Sequence, residues 1–288
     1  MHFQLSVEQR ALRDGTRELL AGRFGRDALR DAVERPPGVD RALWRELGAA
    51  GLFSLCLPEP AGGLGLGLPE AVVVFEECGR ALLPGPLVAT FLAAGDVPGA
   101  ASGDTVVTRP FGGLVPCLDA ADVVRGEVTD AEPLASVDPL TPLHAVPGAA
   151  AAPPSAEATL LYAAEQLGSA GRTLELAVQH AREREQFGRP VGSFQAVKHL
   201  CAEMLVRTEV ARAAVYAAAV TRDPVEVAAA ELLADETAVR GARDCLQVHG
   251  GMGFTWESDV HLHLKRAWVR AELGGSARAA EEVLAAAL

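Results

Sequence analysis

Two long alanine- and leucine-rich stretches with helical periodicity, residues 157–186 and 193–221, flank a short turn. The turn carries a cation, an amide, an aromatic ring and two glycines: Arg184, Gln186, Phe187, Gly188 and Gly192. Chain reversal alone needs no such set. A guanidinium is a rigid fork of donors suited to phosphate or carboxylate, and Phe187 offers a flat apolar surface. Gly188 and Gly192 let backbone approach closely, and Pro190 stiffens the reversal. On the outer helices, Leu160, Leu161, Ala164, Leu167, Leu174 and Val178 fall on one inward stripe. Ser193 is the expected cap of the second helix.

Further helices are expected at 225–249, after the Asp223-Pro224 break, at about 259–272, and from Ser276 onward. Gly250, Gly251 and Gly253 end the first of these with permissive backbone. Long helices with short connections make a bundle. Aromatic residues are only 5% of the chain, so alanine must supply much of the packing and the helices must sit close together.

The first 95 residues predict a helical layer. Ser6 and Gln9 form a capping-box pattern ahead of Leu12, Leu19 and Leu20. Arg35-Pro36-Pro37-Gly38 breaks the chain, Asp40 caps a helix through Leu47 with Trp44 inward, and Pro58 to Gly67 is a glycine-dense loop. Pro69 opens a helix to about Leu82, and a short one covers 87–95. Between 96 and 155 the helical period is lost. Short β runs are expected at 105–108, 113–116 and 122–125, and around 134–137 and 143–146, with a linker at 149–154.

The 288-residue chain carries a net charge of −12, which argues against a nucleic-acid surface while leaving room for an anionic small ligand at a local arginine group such as Arg182, Arg184 and Arg189. The start of the chain has no signal-peptide pattern and no apolar run is long enough to span a bilayer, so a cytoplasmic protein is expected. Five cysteines, widely spaced and without a CxxC pair, read as free thiols. His261 and His263, two apart on a helix, point away from each other and do not suggest a shared metal.

Four motifs, in order, resemble those of the acyl-CoA dehydrogenases. Pro58-Glu59-Pro60-Ala61-Gly62-Gly63-Leu64-Gly65 resembles their PEEYGGLG loop, and Phe75-Glu76-Glu77-Cys78-Gly79 their EELG helix. Arg184-Glu185-Gln186-Phe187-Gly188-Arg189-Pro190 resembles RxQFGxP, and Gln247 to Phe254 resembles QxxGGxGF. The resemblance implies a mainly α, acyl-CoA dehydrogenase-like fold with an N-terminal helical domain (1–95), a shortened β middle segment (96–155) and a C-terminal four-helix bundle (156–288). It implies that the two bundle motifs reach across a subunit interface to the ADP half of an FAD held by a neighbour. Arg184 would meet the diphosphate, Gln186 would hydrogen-bond nearby and Phe187 would pack on the adenosine. Gln247, Gly250 and Gly251 would contact the same half from the other helix end, and His249 beside them would touch the ligand or fill space.

Two departures shape the expected role. The middle segment is short beside a typical domain of about 100–150 residues. It holds no counterpart of the Trp-containing segment that binds the isoalloxazine, since Trp44, Trp256 and Trp268 lie elsewhere. The family's catalytic Glu aligns with Gly274, where glycines would only leave room, and the alternative base position near Ala158 is not acidic. Desaturation removes an α-proton as hydride leaves the β-carbon for the flavin, so a carboxylate within reach is required. The resemblance therefore implies a subunit without its own base, completing the FAD site of a full-length sister in an α2β2 complex. Such complexes oxidise CoA thioesters of steroid side chains in actinobacteria, with an electron-transfer flavoprotein as a fitting acceptor. The alternatives are a self-sufficient small flavoenzyme using Glu272 or Glu165 as base, with Glu165 better suited to a structural hydrogen bond, and a flavin-free scaffold subunit.

Overall fold

The computed structural model describes residues 4–35, 38–147 and 154–288. The Pro36-Pro37 break and most of the expected linker at 149–154 lie outside the described residues.

The N-terminal layer contains α1 (Val7–Arg23), α2 (Arg26–Glu34), α3 (Arg41–Ala49), α4 (Leu68–Arg80) and α5 (Leu87–Ala93). The Ser6–Gln9 capping box forms, and the Asp40 side chain accepts from the amides of Ala42 and Leu43. α2 was not anticipated. Its sequence is highly charged and buries only Leu29, so its packing stripe is thin. It is held from a distance, where the Arg26 Nε donates to Asp259 at 2.6 Å and Nη2 to the Glu257 carbonyl at 2.8 Å.

The middle segment is short strands on irregular backbone. β1 (Val107–Thr108) pairs in parallel with β3 (Val123–Val124). β2 (Leu114–Pro116), β4 (Glu132–Leu134) and β5 (Leu143–Ala145) form an antiparallel sheet in the order β2-β5-β4. The strand expected around 134–137 ends at Leu134, because Ser136 turns back to bond the Asp138 carbonyl at 3.0 Å.

The bundle comprises α6 (Ala156–Glu183), α7 (Gln195–Thr221), α8 (Pro224–His249), α9 (Val260–Gly274) and α10 (Ala277–Ala286). Ser155 caps α6 and Asp223 caps α8. Ser193 does not cap α7. It lies in a 3-10 turn over Val191–Ser193, Phe194 holds the cap position without a side-chain bond, and the Ser193 hydroxyl is buried without a partner. Nor does α6 reach residue 186. It stops at Glu183, and residues 185–190 form a hairpin of β6 (Glu185–Gln186) and β7 (Arg189–Pro190). Among the described residues no helix is long and apolar enough to cross a membrane.

The layer meets the bundle where α4 crosses α6. A Cβ on Gly168 would fall 1.8 Å from the Glu76 carbonyl oxygen, and one on Gly79 would fall 2.0 Å from that of Glu165. The two helices thus touch backbone to backbone. A second tie is Arg266 on α9, 2% exposed. Its Nε donates to Asp138 at 2.5 Å and its Nη1 to the Leu83 carbonyl at 3.0 Å. Asp138 also accepts from the Leu140 amide and the Thr141 hydroxyl. Burial raises the Asp138 pKa, but Arg266 and Thr141 outweigh it and hold the carboxyl below its usual value. Its stabilising contribution is complete above the unfolded carboxylate pKa and is lost as pH falls through the folded one.

Gly168→Ala is expected to destabilise the fold by about 2 kcal/mol or more, because a rigid backbone must shift. Arg266→Ala is expected to cost about 3–5 kcal/mol by stranding a buried carboxylate. Urea midpoints of the two variants test both values, and midpoints matching the parent chain refute them.

Candidate cofactor half-site

The helix-ending hairpin is set by two residues at positive φ, Phe187 at 54° and Gly188 at 75°. Two left-handed residues between antiparallel strands match the turn favoured for tight hairpins, normally Asn-Gly. A bulky aromatic there is strained. Phe187 is 92% exposed, so its own core does not repay that strain. It meets Phe194 edge to face at 6.0 Å, and the Arg189 guanidinium stacks on Phe194 at 4.3 Å. These contacts stiffen the loop and leave the outer face of Phe187 open. Gly192 lets the chain return against α6, where a Cβ would lie 2.7 Å from the Ala181 carbonyl. The close approach expected of Gly192 is therefore to its own chain. Beside the hairpin runs a groove of about 380 Å³ lined by Val178, Ala181, Arg182, Pro190, Gly192, Val197, Lys198 and Cys201.

Arg184 closes α6 through its amide, which donates to the His180 carbonyl at 2.9 Å. The Gln186 amide nitrogen donates to the Glu185 carbonyl at 2.7 Å. At the end of α8, Gln247 is exposed, and a Cβ on Gly250 or Gly251 would meet nothing within 4 Å. That bare peptide is open to a bulky group. His180 on α6 and His249 on α8 stack with ring centroids 4.1 Å apart, bringing the two helix ends together. A guanidinium, a primary amide, an exposed aromatic face and open glycine backbone suit an adenosine diphosphate moiety. This donor set fits the ADP half of FAD.

The Gly274 position, where the resemblance places the family's catalytic Glu, is closed. Gly274 ends α9, and its carbonyl accepts from the Thr159 hydroxyl at 2.9 Å. A Cβ there would meet the Tyr162 Cβ at 3.3 Å, and one on Gly275 would meet a Glu231 carboxylate oxygen at 2.4 Å. The room that the sequence leads one to expect beside these glycines is absent, because Tyr162 and Glu231 fill it. Ala158 is fully buried and Glu157 is exposed.

Glu165 is buried between α6 and α9, with its carboxylate 2.6 Å from Nε of buried Arg270. Burial raises its pKa beyond what Arg270 and Arg266 restore. Glu272 is exposed on the last turn of α9. Sequence reasoning missed Glu231, an acid on the inward face of α8 with one oxygen unpartnered. Burial, then Asp235, pushes its pKa up to about 8. Burial also raises Asp235, to about 7, against the opposing Gln166 bond. His263 is buried against Ser169 at 2.8 Å, and burial lowers its pKa to about 3. His261 instead stacks on Trp256. No cluster of three or more His, Cys, Asp or Glu suits a metal among the described residues.

Residues 6–97 match the acyl-CoA dehydrogenase N-terminal domain and residues 157–288 the acyl-CoA dehydrogenase C-terminal domain. Acyl-CoA dehydrogenase IpdE2 of Mycobacterium tuberculosis is 38% identical over 306 aligned residues, covering 94% of each chain. The chain belongs to the acyl-CoA dehydrogenase family, whose members are flavoprotein oxidoreductases. Among solved structures it is similar to the Tcur3481-Tcur3483 steroid acyl-CoA dehydrogenase, with TM-score 0.82, 26% identity and 97% of both chains covered. It shares its fold with the ChsE4-ChsE5 complex from Mycobacterium tuberculosis at TM-score 0.84 and 24% identity, covering 99% of this chain and 98% of the other.

A buried acid whose folded pKa lies above its unfolded value destabilises the fold increasingly as pH rises between the two. Glu231→Gln is therefore expected to melt higher than the parent at about pH 8 and near-equally at about pH 4. Equal melting temperatures at the higher pH would show that the carboxyl is not held protonated.

Proposed function

We propose that this chain is a non-catalytic subunit of an FAD-dependent acyl-CoA dehydrogenase complex, completing a cofactor site whose remainder belongs to a full-length sister subunit. The observation that carries this reading is the outward-facing site itself. Arg184, the exposed strained Phe187 and the open Gly250-Gly251 backbone converge on the surface at two helix ends. A half-open diphosphate cradle of this kind calls for a second chain to close it.

In the complex, Arg184 holds the diphosphate, Gln186 and Gln247 bond beside it, and Phe187 covers the adenosine. Gly250 and Gly251 let the ligand reach peptide groups. Bound flavin supplies the acceptor for the hydride removed when an acyl-CoA thioester becomes α,β-unsaturated. The carboxylate that takes the α-proton comes from the sister chain. In this chain Glu165 is buried beside Arg270 and Glu272 faces solvent, so neither serves as base. The pairing is α2β2, electrons leave to an electron-transfer flavoprotein, and the assembly works in the cytoplasm. A steroid side-chain CoA ester as substrate is supported by similarity to the Tcur3481-Tcur3483 steroid enzyme. The chain divides functionally at 1–95, 96–155 and 156–288, with the last part making the cofactor and subunit contacts.

The test is flavin content after purification alone and after co-expression with a full-length sister chain. Flavin is expected only in the complex, with Arg184→Ala weakening its retention by about 30-fold or more. A flavin-loaded chain that turns over acyl-CoA by itself would sink the reading. Gly274→Glu is expected to create no activity in the isolated chain, which retains no flavin and where the new side chain meets Tyr162 and Glu231. Measurable desaturation by that variant would show the site to be one residue from competence.

A further inference from the structure

His180 has no role above, and the sequence leaves His249 between touching the ligand and filling space, yet the pair is the joint between the two helix ends. His180 lies one turn before Arg184, and His249 immediately precedes Gly250. Their rings stack with planes 25° apart and centroids 4.1 Å apart, and both are half-buried. The His249 Nδ1 lies 2.8 Å from the Cys245 carbonyl oxygen. A carbonyl only accepts, so Nδ1 carries the proton, and Nε2 is the atom that gains one when the ring becomes cationic.

The electrostatics of this corner are unusual for an anion site. Diphosphates are usually met at helix N-termini, whose free amides attract them. Here α6 and α8 present their C-terminal ends, where free carbonyls carry partial negative charge. Positive side chains must offset that field before a dianion can settle. Arg184 is one such charge. Two imidazolium rings at stacking distance repel each other, so the pair accommodates a single proton.

We infer that the His180–His249 pair takes up one proton from solvent when the cofactor's diphosphate binds, adding a pH-dependent positive charge to the half-site beside Arg184. The inference rests on the reading of the Arg184 turn as half of a cofactor site. The charged and titratable groups facing the pair are Glu183 and Arg184 from α6 and Cys245 from α8. Burial pushes the Cys245 thiol up to about 12, so it stays neutral. In the free chain, burial first, then His249 and Arg184, hold the His180 pKa below its ordinary value, and Glu183 opposes them. His180 in the free chain is thus biased toward its neutral form. A bound dianion favours the cation and raises the pair's pKa. The added affinity is full at low pH and is lost as pH rises through the pKa of the bound state.

The experiment titrates FAD, and separately ADP-ribose, into the flavin-stripped complex with the sister subunit between about pH 6 and about pH 8.5, the range in which imidazole responds. Flavin fluorescence reports FAD binding, and calorimetry reports ADP-ribose. In both probes the diphosphate is a diester and keeps both charges across this range. Affinity for both probes is expected to rise several-fold from the alkaline to the acidic end. In the His180→Gln, His249→Gln double variant, the dependence should flatten while binding persists.

Equal pH slopes in parent and double variant overturn the inference, because rings that only pack would change stability and not slope. Should the double variant fail to fold, the parent complex decides alone, with a flat profile for ADP-ribose overturning the inference. Failure of the parent reading looks different: the complex binds neither probe at any pH, or binds both regardless of Arg184→Ala.

Discussion

One guanidinium holds three parts of this molecule together. Arg266 belongs to the bundle, Asp138 to the middle segment, and the carbonyls of Leu82 and Leu83 to the end of the N-terminal layer. Desolvating such an ion pair costs several kcal/mol, and the arrangement is viable because the remaining donors and acceptors are also occupied. Asp138 spends its oxygens on the Leu140 amide and the Thr141 hydroxyl as well as Arg266. The middle segment docks through buried apolar side chains such as Val106, Phe111, Leu140 and Leu143, with Phe111 edge-on to Tyr162 of α6. The Arg266–Asp138 pair adds a charged pin to that apolar contact.

Much of this architecture is legible in the sequence because it rests on local chemistry. The Ser6–Gln9 box, the Asp40 cap and Asp223-Pro224 each act within a turn of the residues they organise, and the long alanine-rich periods leave no alternative to a bundle. The departures come from contacts or backbone states that local propensity does not report. α2 depends on Asp259, more than two hundred residues away. The end of α6 is decided by Phe187 entering a backbone region that aromatic residues avoid, so local propensity pointed the other way. Ser193 has the chemistry of a cap, but the returning hairpin hides its hydroxyl. At the candidate site, the types of residue and their spacing were readable in advance. The filling of the Gly274 corner by Tyr162 and Glu231 was not, since those residues reach it from other helices.

The half-site and the closed corner describe complementary losses. An acid that would have to ionise beside Glu231 has no place at the end of α9, whereas the far ends of α6 and α8 keep their polar and aromatic equipment facing outward. Strain at Phe187, bare backbone at Gly250 and the exposed cation of Arg184 have little value to an isolated fold. In the proposed complex their cost is offset when the sister surface arrives, and the stacked histidines hold the two helix ends together.

The glycine crossing of α4 and α6 has a mechanical meaning. Helices separated by ordinary side chains slide past one another in small steps as rotamers adjust. Here a backbone rests directly on a backbone at both Gly79 and Gly168, and displacement by one residue in either direction drives a β-carbon into a carbonyl. The crossing behaves as a keyed joint. A load applied to the hairpin at the tip of α6 is carried along the helix into α4 as a rigid tilt. In the proposed complex, a sister subunit seated on that tip would move the N-terminal layer with it.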